Sequence, residues 1–117
     1  MLTVNEIFYS IQGESTLTGQ PCVFVRLTGC DLRCVWCDTS YAFHEGRKML
    51  IEDVKKEVEN YQCGLVEITG GEPLLQEDVY GLIDLLLRDD ITILVETGGQ
   101  LSVARLPAKV IKVLDVK

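Results

Sequence analysis

Short apolar runs rich in β-branched residues recur along the chain at Glu6–Ile11, Val23–Leu27, Leu65–Thr69, Thr92–Glu96 and Val110–Val116, and each has strand length. Between the later runs the apolar period lengthens to that of a helix. Ile51, Val54, Val58 and Tyr61 form one stripe, with Lys55, Lys56, Glu57 and Glu59 on the wet side. Val79, Leu82, Ile83 and Leu86 form a second stripe, preceded by Pro73 and ended by Arg88-Asp89-Asp90. From Ile51 onward the order is α-β-α-β, then a short irregular or helical stretch and a last strand. Strands alternating with helices predict an α/β fold with a parallel sheet and right-handed crossovers. No repeat, linker or charged tail interrupts the pattern, so residues 1–117 read as a single domain.

Ligands of such sheets gather beyond the carboxyl ends of the strands. Several polar residues stand there. Arg26 shares a face with Phe24 and Thr28; Thr69 runs into Gly70-Gly71-Glu72-Pro73; Glu96 runs into Thr97-Gly98-Gly99; Asp115 and Lys117 share a face of the last strand. Four such ends point to one shared site.

Composition narrows the class. The chain has 117 residues, 47% of them hydrophobic, which excludes a disordered or low-complexity segment. A complete eight-stranded α/β barrel needs about 250 residues and cannot be formed. Eleven Lys and Arg against 18 Asp and Glu give a net charge of −7, which argues against a nucleic-acid footprint. No basic segment precedes an apolar run at the N-terminus, and no apolar run approaches the roughly 20 residues that cross a bilayer. The expectation is a soluble, cytoplasmic chain without a signal peptide or membrane contact.

The cysteines carry the most specific chemistry. There are five, an odd number, and Cys30, Cys34 and Cys37 fall within eight residues, a spacing that suits metal better than a disulfide framework. Cys22 and Cys63 lie beside strand-like segments and read as small buried residues. The cluster is spaced C-x3-C-x2-C. Three soft thiolates in one loop can each reach a separate iron of a cubane cluster and leave the fourth iron open. An open iron can chelate the amino and carboxylate groups of S-adenosylmethionine, whose one-electron cleavage gives a 5′-deoxyadenosyl radical that abstracts hydrogen from a substrate. Trp36, just before the third cysteine, suits the adenine side of such a site. The competing reading is a structural zinc site, which needs a fourth ligand from Cys22, Cys63 or His44. His44, the single histidine, otherwise reads as a surface loop residue.

The C-x3-C-x-aromatic-C loop followed by Thr69-Gly70-Gly71-Glu72-Pro73 resembles the radical S-adenosylmethionine superfamily. More narrowly, Glu6-Ile7-Phe8-Tyr9-Ser10-Ile11-Gln12-Gly13-Glu14-Ser15, Arg26 and Trp36-Cys37-Asp38-Thr39 resemble the 7-carboxy-7-deazaguanine synthase family, with matches running from Glu6 to Lys117. The resemblance implies a partial parallel β/α barrel forming a single radical S-adenosylmethionine core domain. It implies a [4Fe-4S] cluster on Cys30, Cys34 and Cys37. S-adenosylmethionine would lie along Trp36, Cys37 and Asp38, with further contacts from Gly71, Asp115 and Lys117. Thr39 would supply a hydroxyl to Mg2+. The substrate would be 6-carboxy-5,6,7,8-tetrahydropterin, held by Ile11, Gln12, Gly13, Arg26 and Thr69, and the product 7-carboxy-7-deazaguanine, formed with loss of ammonia on the route to queuosine.

The residue types suit those roles. A substrate carboxylate needs a fixed cation, and Arg26 can pair with it bidentately. Gln12 and Thr69 can read a pterin edge, and a hydroxyl is a hard ligand suited to Mg2+. Plainer roles stand beside these: Gln12-Gly13 as a turn, Thr39 as a loop cap, Arg26 paired with Glu67 or Glu96, and Glu96 holding the loop that follows it. The family also implies a homodimer and an electron donor such as flavodoxin or ferredoxin. Its members are longer than 117 residues, so the chain is expected to be the N-terminal part of a longer barrel. Two other readings remain at this point. One is a superfamily activase that installs a glycyl radical on a partner enzyme; the other is a zinc- or cluster-stabilised binding module without catalysis.

Overall fold

The computed structural model describes residues 2–13, 17–28, 47–70, 72–98 and 104–114. A six-stranded sheet forms the frame, built from β1 (Leu2–Ile11), β2 (Pro21–Leu27), β3 (Arg47–Met49), β4 (Leu65–Thr69), β5 (Thr92–Thr97) and β6 (Ile111–Leu114) in the order β3-β1-β2-β4-β5-β6. Two helices, α1 (Ile51–Glu59) and α2 (Asp78–Arg88), and a 3-10 turn (Pro73–Leu75) complete the described elements. No helix among the described residues is long and apolar enough to cross a membrane.

β2, β4, β5 and β6 run parallel, as alternation with helices predicts. β1 and β3 pair antiparallel at one edge, which the alternation did not predict. β1 joins β2 directly through a hairpin in which the Gly19 amide donates to the Gln12 carbonyl and the Gln12 amide to Gln20. A connection of that length forces antiparallel pairing. β3 is only three residues long, too short to leave a periodic signal.

The helices cover one face of the sheet. Val23, Val25 and Leu27 of β2, Val66 and Ile68 of β4, and Ile93 and Val95 of β5 pack there against Val54 and Val58 of α1 and Val79, Leu82, Ile83 and Leu86 of α2. Both helical stripes therefore face the core as their spacing predicts, except that Tyr61 lies beyond α1 and is exposed. The opposite face, helix-free among the described residues, has a smaller apolar cluster of Cys22, Leu65 and Leu94, with Phe24, Ile111 and Val113 against it.

A register shift in β1 decides which residues reach that second face. Val4 pairs with Leu27 and Glu6 with Arg26, so Asn5 is an extra residue on β1. Leu2 and Val4 before the bulge and Ile7 after it all pack into the helix-covered core. Glu6 and Phe8 are thereby turned to the helix-free face, the usual effect of a bulge beside a functional site.

Candidate active site at the carboxyl ends of the parallel strands

Strand register brings Arg26 opposite Thr69 and Phe24 opposite Glu67, while Glu67 lies opposite Leu94. Period-two alternation then stacks two layers on the helix-free face. Nearer the carboxyl ends are Arg26, Thr69 and Glu96; one layer below are Phe24, Glu67 and Leu94. Arg26 and Thr69, the two substrate residues expected from β2 and β4, are thus cross-strand neighbours.

The ionic partner of Arg26 is neither Glu67 nor Glu96 but Glu6, across the antiparallel β1–β2 ladder at 2.5 Å. The pair is about two-fifths exposed, a setting in which ion pairs contribute on the order of 0–1 kcal/mol. The guanidinium carbon also lies 5.3 Å from the Phe8 ring centroid, and Phe8 stacks on Phe24 at 5.0 Å. Arg26 is therefore held from the side and from below, with its planar group kept at the rim. Thr69 donates its hydroxyl hydrogen to Glu96 at 3.3 Å.

Gln12 reaches the lower layer from the other end of the sheet. It is buried, and its Nε2 donates to Glu67 Oε1 at 2.9 Å. Glu67 is itself 3% exposed, a charged residue set among apolar ones in β4. The same Nε2 lies 3.8 Å from Cys22 Sγ. Burial, with the Glu67 charge behind it, pushes the Cys22 thiol up to about 11, so Cys22 is a protonated core residue at neutral pH. Ile11 and Gly13, by contrast, stay exposed at the amino end of β2, where Ile11 pairs with Pro21. The structure brings Arg26, Thr69 and Gln12 to one face and leaves Ile11 and Gly13 at its edge. A cleft of about 430 Å³ opens at that same amino end among Tyr9, Pro21, Tyr61, Cys63 and Leu65, away from Arg26 and Thr69.

The loops above the strand ends are pinned by residues to which the sequence reading gave no role. Gly70 has φ +86°, and a side-chain carbon there would lie 2.3 Å from the Leu27 carbonyl oxygen and 2.6 Å from Arg26 Cγ. Glu72 is buried and accepts hydrogen bonds from the Thr97 hydroxyl and, at 2.9 Å, from the Gly98 amide. It holds the start of the loop after β5. Gln76 bonds to Thr3 and to the Thr28 carbonyl. The signal for Glu72 was the Gly-Gly-Glu-Pro turn after β4; Gln76 left none, because its partners are backbone atoms far away in sequence.

Cys30, Cys34, Trp36, Cys37, Asp38, Thr39, His44, Gly71, Asp115 and Lys117 lie outside the described residues. What is described fits a cofactor at this end. The Thr28 hydroxyl, two positions before Cys30, is buried with no hydrogen-bond partner among the described residues. Gly70 keeps the space over Arg26 and Leu27 free of a side chain. Three closely spaced thiols are soft donors suited to iron and sulfide.

A family profile described as the Radical SAM superfamily matches residues 24–115. The 7-carboxy-7-deazaguanine synthase of Koribacter versatilis is 48% identical over 118 residues, covering 99% of this chain and 52% of that protein. The enzyme of the same name from Chlorobaculum tepidum is 47% identical, covering 99% and 53%. The crystal structure of QueE from Escherichia coli superposes with a TM-score of 0.79 at 30% identity, over 99% of this chain and 60% of that one. The chain thus spans about half the length of the curated relatives it matches.

Proposed function

The chain belongs to the radical SAM superfamily, and from that membership we propose that it serves 7-carboxy-7-deazaguanine synthesis, converting 6-carboxy-5,6,7,8-tetrahydropterin with loss of ammonia. The observation that carries this reading is the pairing of Arg26 with Thr69 at the strand ends from which the cysteine segment departs. In this reading residues 1–117 act as one core domain of a cytoplasmic homodimer, with flavodoxin or ferredoxin as the electron source.

Cys30, Cys34 and Cys37 would hold the [4Fe-4S] cluster, and Trp36, Cys37, Asp38, Gly71, Asp115 and Lys117 would hold S-adenosylmethionine. When bound, the two together supply one-electron cleavage of S-adenosylmethionine and hydrogen abstraction from substrate. Thr39 would give Mg2+ a hard oxygen ligand.

The chain's own residues bind and orient the substrate. Arg26 presents a planar fork of donors, and Glu6 occupies Nη1. A substrate carboxylate that takes the fork gains a charge-assisted pair, and the Phe8 ring keeps the guanidinium from tilting away. Thr69 commits its hydroxyl hydrogen to Glu96, so its oxygen is turned out as an acceptor for a pterin N–H. Gln12, gripped by Glu67, forms the floor beneath Arg26 and Thr69. Glu72 fixes the loop after β5 against the loop after β4, which keeps the mouth of the site constant while substrate enters.

Anaerobic reconstitution with iron and sulfide, followed by EPR of the dithionite-reduced chain with and without S-adenosylmethionine, tests the proposal. A reduced cubane signal that changes on adding the cofactor is expected, together with turnover of the isolated pterin without a protein partner. About one tightly held zinc and no cubane signal would overturn it.

A further inference from the structure

Gln76 closes the 3-10 turn of Pro73–Leu75 and spends its whole carboxamide on distant backbone. Its Oε1 accepts the Thr3 amide hydrogen at 2.8 Å, and its Nε2 donates to the Thr3 carbonyl at 3.1 Å and to the Thr28 carbonyl at 2.8 Å. The Thr28 amide in turn donates to the Thr3 carbonyl at 3.0 Å. The amide therefore ties the start of β1 to the residue just past the end of β2. Thr28 also stands two residues before Cys30 in the sequence.

Gly70 approaches Leu27, the residue before Thr28, since a carbon added to it would clash with the Leu27 carbonyl. Gly70 and Gln76 thus approach two successive residues, Leu27 at the end of β2 and Thr28 just past it. We propose that Gln76 is a positioning residue: it fixes the point at which the cysteine segment leaves the sheet relative to the Gly70-Gly71-Glu72 segment, and so sets the placement of the cluster against S-adenosylmethionine. This rests on the functional reading above, in which Cys30 and Gly71 contact those two groups. The groups that orient metal ligands from behind typically matter by about ten- to a hundredfold in affinity or activity.

Two variants isolate the effect. Gln76→Met keeps the length and apolar stem but removes the donor to the Thr28 carbonyl and the acceptor of the Thr3 amide, leaving the Thr3 carbonyl only the Thr28 amide. Gln76→Glu sets a carboxylate against those two carbonyls; their dipoles and its partial burial raise its pKa, and the protonated form restores one donor. Each variant and the parent chain are reconstituted anaerobically. Iron and sulfide content, circular dichroism and the EPR change induced by S-adenosylmethionine are measured at about pH 8 and about pH 6.

The expected result is parent-like iron, sulfide and circular dichroism, with S-adenosylmethionine binding by EPR titration weakened about tenfold or more in Gln76→Met at both pH values. Gln76→Glu should be weakened at the higher pH and return toward the parent at the lower. Parent-like titrations in both variants would overturn the positioning role while leaving the functional reading intact. Loss of folded signal in both would assign Gln76 to stability alone and overturn it equally. A parent chain whose cluster signal ignores S-adenosylmethionine would overturn the functional reading and this inference together.

Discussion

The carboxylate of Glu72 receives the hydroxyl of Thr97, so the loop after β4 is fastened to the last residue of β5 across adjacent parallel strands. The Gly98 amide donates to the other carboxylate oxygen at 2.9 Å. Both carboxylate oxygens thereby meet a donor in a buried setting, where a lost partner costs about 1–3 kcal/mol.

Glu72→Gln keeps one acceptor but turns an NH2 toward the second donor. It is expected to lower unfolding free energy by about 1–3 kcal/mol, with Glu72→Ala at least as damaging. Urea unfolding followed by circular dichroism checks this; a midpoint equal to the parent's would show that the loop is held by other contacts.

Arg26 sits on Phe8 and beside Glu6 with its fork at the rim of the site. Arg26→Lys keeps the charge and loses the planar geometry that suits a carboxylate. The expected outcome is a KM for the pterin raised by about ten- to a hundredfold, as removal of a charge-assisted hydrogen bond implies, with cluster content unchanged. Steady-state kinetics beside iron analysis provide the check, and an unchanged KM would remove Arg26 from carboxylate binding.

Much of this arrangement was legible in the sequence where the signal is local. The stripes of Val54 and Val58 and of Val79, Leu82, Ile83 and Leu86 are set by a helical period, and those side chains are buried as the period implies. β4 carries its bounds in the apolar, β-branched run from Leu65 to Thr69. What the sequence could not reveal depends on register and on distant backbone. Nothing near Glu6 signals that Asn5 is an extra residue, yet that insertion turns Glu6 toward Arg26 and displaces Glu67 and Glu96 as its partners. Glu67 instead takes Gln12, 55 positions away. Gln76 reads as a surface polar residue after a proline turn until the Thr3 and Thr28 backbones are seen beside it.

Cys22 supplies a pH dependence. Its thiol is raised from 9.0 to about 11 by burial, with the Glu67 charge adding to it, so the folded chain holds that proton more tightly than the unfolded chain does. The stability linked to this group is complete below about pH 9 and is lost as pH rises through about 11. Unfolding free energy should fall across that window and fall less in Cys22→Ala. Peptide mapping after brief alkylation at neutral pH should find the half-buried Cys63 labelled well before Cys22. Equal labelling would contradict the buried, protonated assignment.

Gly70 is the position where backbone shape and site geometry meet most tightly. Its φ of +86° is unfavourable for any residue with a side chain, costing roughly 1–2 kcal/mol by itself. Its missing side chain also makes room for the Leu27 carbonyl and the Arg26 stem, and neither backbone can move without opening the β2–β4 ladder. Gly70→Ala should therefore cost more than the backbone term alone, and the excess should appear as displacement of Arg26. The expected result is a lowered melting temperature together with a raised KM for the pterin. Gly64→Ala, at a glycine with open space around it, should change neither by a comparable amount. If Gly70→Ala melted with the parent, the close approach to Leu27 would not be a constraint on the folded chain, and the contact that links the glycine turn to Arg26 would have to be abandoned.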